Sequence, residues 1–163
     1  MQRVFLKPGG LIVTTDEVEV VTVLGSCVSV TLHAPRAGLA GMCHGILPRP
    51  RPGTRFVASQ EERFQFLSEA LPHLLLVFRM RKLGKEEVQV KMFGGANIIG
   101  QTADAVAMER LAREGVGAMN VNFTKAYLEH EGVPIKACDV GGGRGRKIFF
   151  NTGSGEVLHR FLK

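Results

Sequence analysis

Short apolar runs with a two-residue rhythm fill the first third of the chain. Leu11-Ile12-Val13-Thr14 and Val18-Glu19-Val20-Val21-Thr22-Val23 are rich in β-branched residues and predict two strands, with Asp16-Glu17 as the turn between them. Gly25-Ser26 interrupts the pattern, and residues 28–33 resume it. Pro35-Arg36-Ala37-Gly38 signals a turn, so residues 39–47 read as the return strand of a hairpin.

The rhythm then changes. Pro48-Arg49-Pro50-Arg51-Pro52-Gly53 predicts an exposed loop, because its prolines preclude regular backbone hydrogen bonding. Ser59-Gln60-Glu61-Glu62 has the form of a capping box and predicts a helix start near Ser59. Phe64, Leu67, Leu71, Leu74 and Leu75 keep helical spacing; Pro72 is expected to kink or interrupt that helix near Leu71, and Gly84 to end it. Residues 88–93 alternate as a strand, and Gly94-Gly95-Ala96-Asn97 turns out of it. Two more helices are predicted, one from Thr102 to the glycines at 115–117 and one over residues 120–131 with Gly132 as its C-cap. A strand near residues 135–138 leads into Gly141-Gly142-Gly143-Arg144-Gly145-Arg146, and residues 147–151 and 156–161 pair as a hairpin across Thr152-Gly153-Ser154-Gly155. Strands at both ends with helices between them predict an α/β fold of the α+β or layered kind, not a doubly wound nucleotide-binding one. No repeat or linker divides the chain, so residues 1–163 are expected to form one domain.

Composition narrows the class. Apolar residues make up 45% and charged residues 22%, which suits a globular domain and not a disordered chain. No apolar run approaches the roughly 18 residues of a membrane span, and the first residues carry no cleavable-leader pattern. A cytoplasmic protein without membrane insertion is the expectation. The net charge of +6 points to an acidic partner, either nucleic acid or an acidic protein surface, although a solvated basic face is the simpler reading of the arginines at 49, 51, 55, 79, 81, 144 and 146. Few aromatics are present for base stacking, and the arginines are scattered, which weighs against nucleic acid. The glycine run at 141–145 lacks the Lys-Ser/Thr ending of a phosphate loop. With Gly94-Gly95 it reads as a turn bringing backbone close to a cleft, and Asn97 as a turn asparagine, an auxiliary hydrogen-bonding residue being the alternative.

Cys27, Cys43 and Cys138 include no C-x-x-C spacing, which implies free thiols in a reducing compartment. A zinc site from these and His44 would lack the closely paired ligands usual in structural sites, so no metal is expected. The hairpin centred on Arg36-Ala37 brings Ser29 opposite His44 and Cys27 opposite Ile46. Cys27 and His44 then share a face as diagonal neighbours, roughly 7–8 Å apart at the backbone. An imidazole beside a thiol can generate a nucleophilic thiolate, and Gly25-Ser26 suits a sharp bend whose backbone N–H groups hold an oxyanion. On residue chemistry alone, a small buried core cysteine and a satisfied strand histidine are the commoner reading.

Four segments in order change that balance. Val23-Leu24-Gly25-Ser26-Cys27-Val28-Ser29-Val30, Gly41-Met42-Cys43-His44-Gly45-Ile46-Leu47-Pro48, Lys91-Met92-Phe93-Gly94-Gly95-Ala96-Asn97 and Asp139-Val140-Gly141-Gly142-Gly143-Arg144-Gly145-Arg146-Lys147 together resemble the CheD family of chemoreceptor glutamine deamidases. The resemblance implies a Cys-His-Thr site on a layered α/β/β sandwich of largely antiparallel strands with helices on one side, similar to the catalytic domain of cytotoxic necrotizing factors. Cys27 maps onto the nucleophile and His44 onto the base. Thr22, five residues before Cys27, is the candidate for the residue that orients the imidazole; an ordinary strand threonine is the alternative. Gly25, Ser26 and Asn97 are the candidate oxyanion or substrate-binding positions. Cys43 stands where the family often has a polar residue and is expected to point away from the His44 face. Met119, before Asn120, stands where relatives tend to carry arginine.

The reaction so implied is hydrolysis of glutamine side chains on chemoreceptor cytoplasmic domains through a Cys27 thioester, without metal or cofactor, with receptor methyl-ester hydrolysis open to the same chemistry. A CheC-type phosphatase is a second expected partner. The rivals are a non-catalytic chemotaxis adaptor, which a functional Cys27→Ala protein would favour, and a basic nucleic-acid-binding domain. Cys27 is expected to be the fastest-alkylated thiol and Cys138, at the end of an apolar strand, a slow one.

Overall fold

A computed structural model describes residues 1–53, 60–98, 105–106 and 115–163. Among the described residues nine strands form two sheets: β1 (Gln2–Phe5), β2 (Leu11–Thr14), β3 (Val18–Leu24), β4 (Val28–Ala34), β5 (Leu39–Gly45), β6 (Gln89–Gly94), β7 (Ile135–Val140), β8 (Arg146–Asn151) and β9 (Val157–Phe161). One sheet runs β1-β3-β8-β9 and the other β2-β5-β4-β6-β7. Among the described strands β1 with β3 and β6 with β7 pair in parallel, and the other five pairings are antiparallel. A single turn, α1 (Gln60–Arg63), precedes the longer helices α2 (Leu67–Met80) and α3 (Val116–His130).

Alternation along β4 and β5 sorts side chains into two layers. Val28, Val30, Leu32, Leu39 and Cys43 pack with Leu67, Leu71, Leu74 and Phe78 of α2 and with Val121 and Leu128 of α3. The opposite face contributes Ala40, Met42 and Phe93 to a second core with Val18, Val20, Leu24, Ile148 and Phe150 of the other sheet. The order of layers is therefore helices, five-stranded sheet, four-stranded sheet, as the α/β/β expectation has it. The predicted hairpin register also holds, with Ser29 paired to His44 and Val28 to Gly45.

Local expectations meet different outcomes. Asp16-Glu17 turns the chain between two strands as expected, and β2 and β3 join different sheets. The predicted capping residue Ser59 lies outside the described residues, as does nearly all of the predicted helix from Thr102. The break expected at Pro72 falls earlier: Phe66 is extended and bridges Leu47, and α2 then runs through Pro72 without interruption. That helix ends at Met80, with Lys82 in the left-handed region (φ 57°), ahead of Gly84. The last helix begins at Val116 and takes in Gly117, instead of starting at Asn120. Arg146 is buried, not part of a basic face. Cys138 is exposed, not shielded by its strand. No described helix is long and apolar enough to cross a membrane.

Candidate active site

Thr22 occupies the same face of β3 as Val18, Val20 and Leu24, so strand alternation points it between the sheets. On β5, His44 shares a face with Ala40 and Met42 and reaches the same layer from the opposite side. The two meet: Thr22 Oγ1 lies 2.7 Å from His44 Nδ1. The same hydroxyl donates to the Leu6 carbonyl at 2.7 Å. A hydroxyl carries one hydrogen, and a carbonyl can only accept, so Thr22 must accept from Nδ1–H. This fixes the imidazole as the Nδ1-protonated tautomer and leaves Nε2 with a free lone pair. Nε2 is buried and bonded to no other group among the described residues.

Leu6 reaches the site because the segment after β1 crosses from one sheet to the other. Its N–H donates to Val21 O (2.8 Å), Gly9 N–H to His44 O (2.8 Å), and His44 N–H to Gly10 O (2.9 Å). The histidine is thereby held at both its backbone and its ring. Burial lowers its pKa to about 4, partly offset by the Leu6 backbone, so it is a neutral imidazole at ordinary pH.

Cys27 follows the Gly25-Ser26 bend that joins β3 to β4 and packs against the same inter-sheet core as Ala40 and Met42. The bend is gripped by the turn after β6. Gly95 N–H donates to Cys27 O (2.8 Å) and Ala96 N–H to Gly25 O (2.9 Å). Gly94 has φ 107°, and a Cβ there would collide with the Cys27 carbonyl oxygen, so glycine is required on both counts. Half-burial of Cys27 raises its thiol pKa, against a smaller opposing effect from its own N–H. The resting pair is therefore neutral thiol and neutral imidazole. A pre-formed thiolate, the basis for expecting the fastest alkylation at Cys27, is not what this environment favours.

The remaining candidates divide. Gly25 and Ser26 form the bend, and Asn97 donates its backbone N–H to Gly142 O (2.8 Å), with a buried Oδ1 that meets no partner among the described residues. Cys43 points into the helix-side core, away from His44, and burial pushes its thiol up to about 12. Among the described residues no three His, Cys, Asp or Glu side chains converge as a metal-binding group. A hollow of about 240 Å³ lined by Leu32, Leu75, Phe78, Lys85 and Val88 includes none of Thr22, Cys27 and His44.

Two residues of the surroundings were not singled out in the sequence. Arg146 donates to Gly94 O (2.6 Å), Gly141 O (2.8 Å) and Asp139 O (3.1 Å), clamping both glycine turns together. Asn120 donates to Ser26 O and to Ile46 O, each at 2.9 Å. An arginine within a Gly-x-Gly-x run and an asparagine at a helical core position were the available signals.

Comparison with known proteins places the chain. A family model described as CheD chemotactic sensory transduction matches residues 46–161. The chain belongs to the CheD family. A "Probable chemoreceptor glutamine deamidase CheD 2" of Geobacter sulfurreducens is 39% identical to this CheD-family chain, over 99% of it and 91% of the relative. A "Probable chemoreceptor glutamine deamidase CheD" of Maridesulfovibrio salexigens is 33% identical, over 100% of this chain and 94% of the relative. One from Oleidesulfovibrio alaskensis is 38% identical, over 99% of this chain and 74% of the relative. Among solved structures, the Bacillus licheniformis hypothetical protein YfiH aligns with a TM-score of 0.42 at 12% identity, over 82% of this chain and 49% of that one, which is too distant to carry an argument. The family-model match begins after Thr22, Cys27 and His44 of this CheD-family chain and does not cover them.

Proposed function

We propose that this protein converts glutamine side chains of bacterial chemoreceptor cytoplasmic domains to glutamate by way of a Cys27 thioester. The names of its relatives support the substrate class. The observation that carries the chemistry is the Thr22 contact, which fixes the Nδ1-protonated tautomer and leaves a bare Nε2 in the layer where Cys27 sits, while burial keeps the ring neutral.

With both partners neutral at rest, His44 acts as a general base during attack and not as the counter-ion of a standing thiolate. Its Nε2 takes the thiol proton as sulfur bonds to the carboxamide carbon, and the carbonyl becomes an oxyanion held by backbone N–H groups of the Gly25-Ser26 bend, with Asn97 alongside. The imidazolium gives its proton to the departing nitrogen, the C–N bond breaks, and ammonia leaves. Water, deprotonated by the same Nε2, attacks the thioester, and the thiol is restored with glutamate as product. A methyl ester passes through the same tetrahedral intermediate with methanol as leaving group, so receptor methyl-ester hydrolysis is a second reaction of the site. No step draws on a metal or cofactor.

Arg49 and Arg51 lie exposed in the loop after β5, and the Arg49 guanidinium stacks over Phe123 of α3 at 5.1 Å. These cations suit an acidic helical receptor surface and would speed encounter in a salt-dependent way; Arg55, the third of the group, lies outside the described residues. A CheC-type phosphatase is proposed as a second partner, and the cytoplasm as the place where both are met. The test is incubation with a purified receptor cytoplasmic fragment followed by peptide mass spectrometry. Wild type should convert defined glutamines to glutamate and folded Cys27→Ala should convert none; equal conversion by both would overturn the assignment.

A further inference from the structure

Three consecutive carbonyls around the nucleophile are tied down from inside the fold. Gly25 O and Cys27 O are held by backbone N–H groups of Ala96 and Gly95. The middle one, Ser26 O, is held by a side chain, the Nδ2 of Asn120 on α3. The second hydrogen of that amide goes to Ile46 O, two residues beyond His44. Both acceptors are carbonyl oxygens, so the amide must present its nitrogen to them, and both its hydrogens are spent. Asn120 is fully buried, so these bonds are made away from competing water.

In a trans peptide the N–H points opposite to the C=O of the preceding residue. With Ser26 O drawn toward α3, the Cys27 N–H must face the other way, and with Gly25 O drawn toward Ala96, so must the Ser26 N–H. Apart from the Cys27 sulfur itself, no described acceptor takes either N–H. The Cys27 N–H interacts with its own sulfur, so donor and thiol share a side.

We infer that Asn120 is a positioning residue for this reaction: by holding the Ser26–Cys27 peptide plane it aims the Cys27 N–H at the oxyanion formed on the substrate. This rests on the reading of Cys27 as nucleophile. Asn120 touches no reacting atom and acts through that peptide alone. Loss of its donors would let the plane turn and withdraw one oxyanion donor, while leaving thiol and imidazole in place.

The test compares two reactions of Cys27 in Asn120→Asp and Asn120→Ala. Acylation by p-nitrophenyl acetate builds an oxyanion; alkylation by iodoacetamide does not. Acylation should fall by about 10²-fold, the usual cost of one oxyanion donor, with alkylation at Cys27 unchanged. Parallel loss of both, or loss of neither, would overturn the inference, since a merely structural role moves them together. Should neither variant fold, the wild-type protein decides: acetaldehyde bound to Cys27 as a hemithioacetal should shift the Cys27 amide proton downfield in NMR, and an unmoved amide would overturn the inference. Wild-type acylation without receptor deamidation would sink the receptor reading alone and still leave Asn120 tested. Absence of acylation at wild-type Cys27 would remove both.

Discussion

Cys43 and His44 are neighbours on β5 and stand in opposite environments. Cys43 faces the helices, in a layer built from Val28, Val30, Leu32, Leu67, Leu71 and Leu74. His44 faces the second sheet, in a layer that also buries Thr22, Ser29, Thr31, His33 and Arg146. Buried polar groups cost free energy unless bonded, and here Ser29 donates to Cys43 O (2.6 Å), His33 contacts Gly153 O (3.1 Å) and Thr22 bridges Leu6 and His44. The helix-side layer gains stability chiefly from apolar burial, with Asn120 and Thr124 as buried polar residues on α3. The inter-sheet layer spends some of that gain on polar groups held in fixed directions, which is what a catalytic site requires.

The division can be broken by substitution on either side. The largest effect belongs to the inter-sheet layer: Cys27→Ala and His44→Ala should each lower kcat by about 10⁴-fold or more while the fold persists, and a variant with wild-type turnover would remove that residue from the site. On the helix side, Leu74→Ala should cost about 2–5 kcal/mol in denaturant melts with little change in the kcat of the folded protein. A kcat loss comparable to that of His44→Ala would dissolve the contrast.

Burial of His44 has a pH signature. Its pKa is near 6.5 unfolded and about 4 folded, so between those values the unfolded chain binds a proton that the folded chain refuses. Stability should therefore fall by about 3 kcal/mol as pH drops from 6.5 to 4, and His44→Gln should flatten that slope. An equal slope in the variant would mean that His44 is not held neutral. Thr22→Val keeps the shape of the side chain but removes the acceptor for Nδ1–H, and should lower kcat by about 10–100-fold, the usual cost of losing a partner that orients a functional histidine. The smallest effect concerns labelling. Exposed Cys138 should react with iodoacetamide before half-buried Cys27, with Cys43 last; dominant labelling of Cys27 near neutral pH would point to a standing thiolate.

The hairpin was legible because a single turn at Pro35-Arg36-Ala37-Gly38 fixes its register, and register sets which face His44 takes. Thr22 was legible as the partner of His44 only through the family resemblance: the contact depends on how two sheets stack, and strand alternation within either sheet does not encode that. Leu6 was invisible for the same reason, since its role lies in a carbonyl and any side chain supplies one. Pro72 misled because proline marks where a helix is weakened, while the Phe66–Leu47 bridge decides where this one starts. Arg146 and Cys138 show the limit of composition, which counts charges and thiols without saying which are covered.

Thr22 and burial together hold His44 as a neutral, Nδ1-protonated imidazole. Nitrogen-15 NMR of the imidazole at neutral pH reads this directly. The structure predicts a protonated Nδ1, a bare Nε2 and no titration until the pH approaches 4. An Nε2-protonated ring, or an imidazolium at neutral pH, would contradict it.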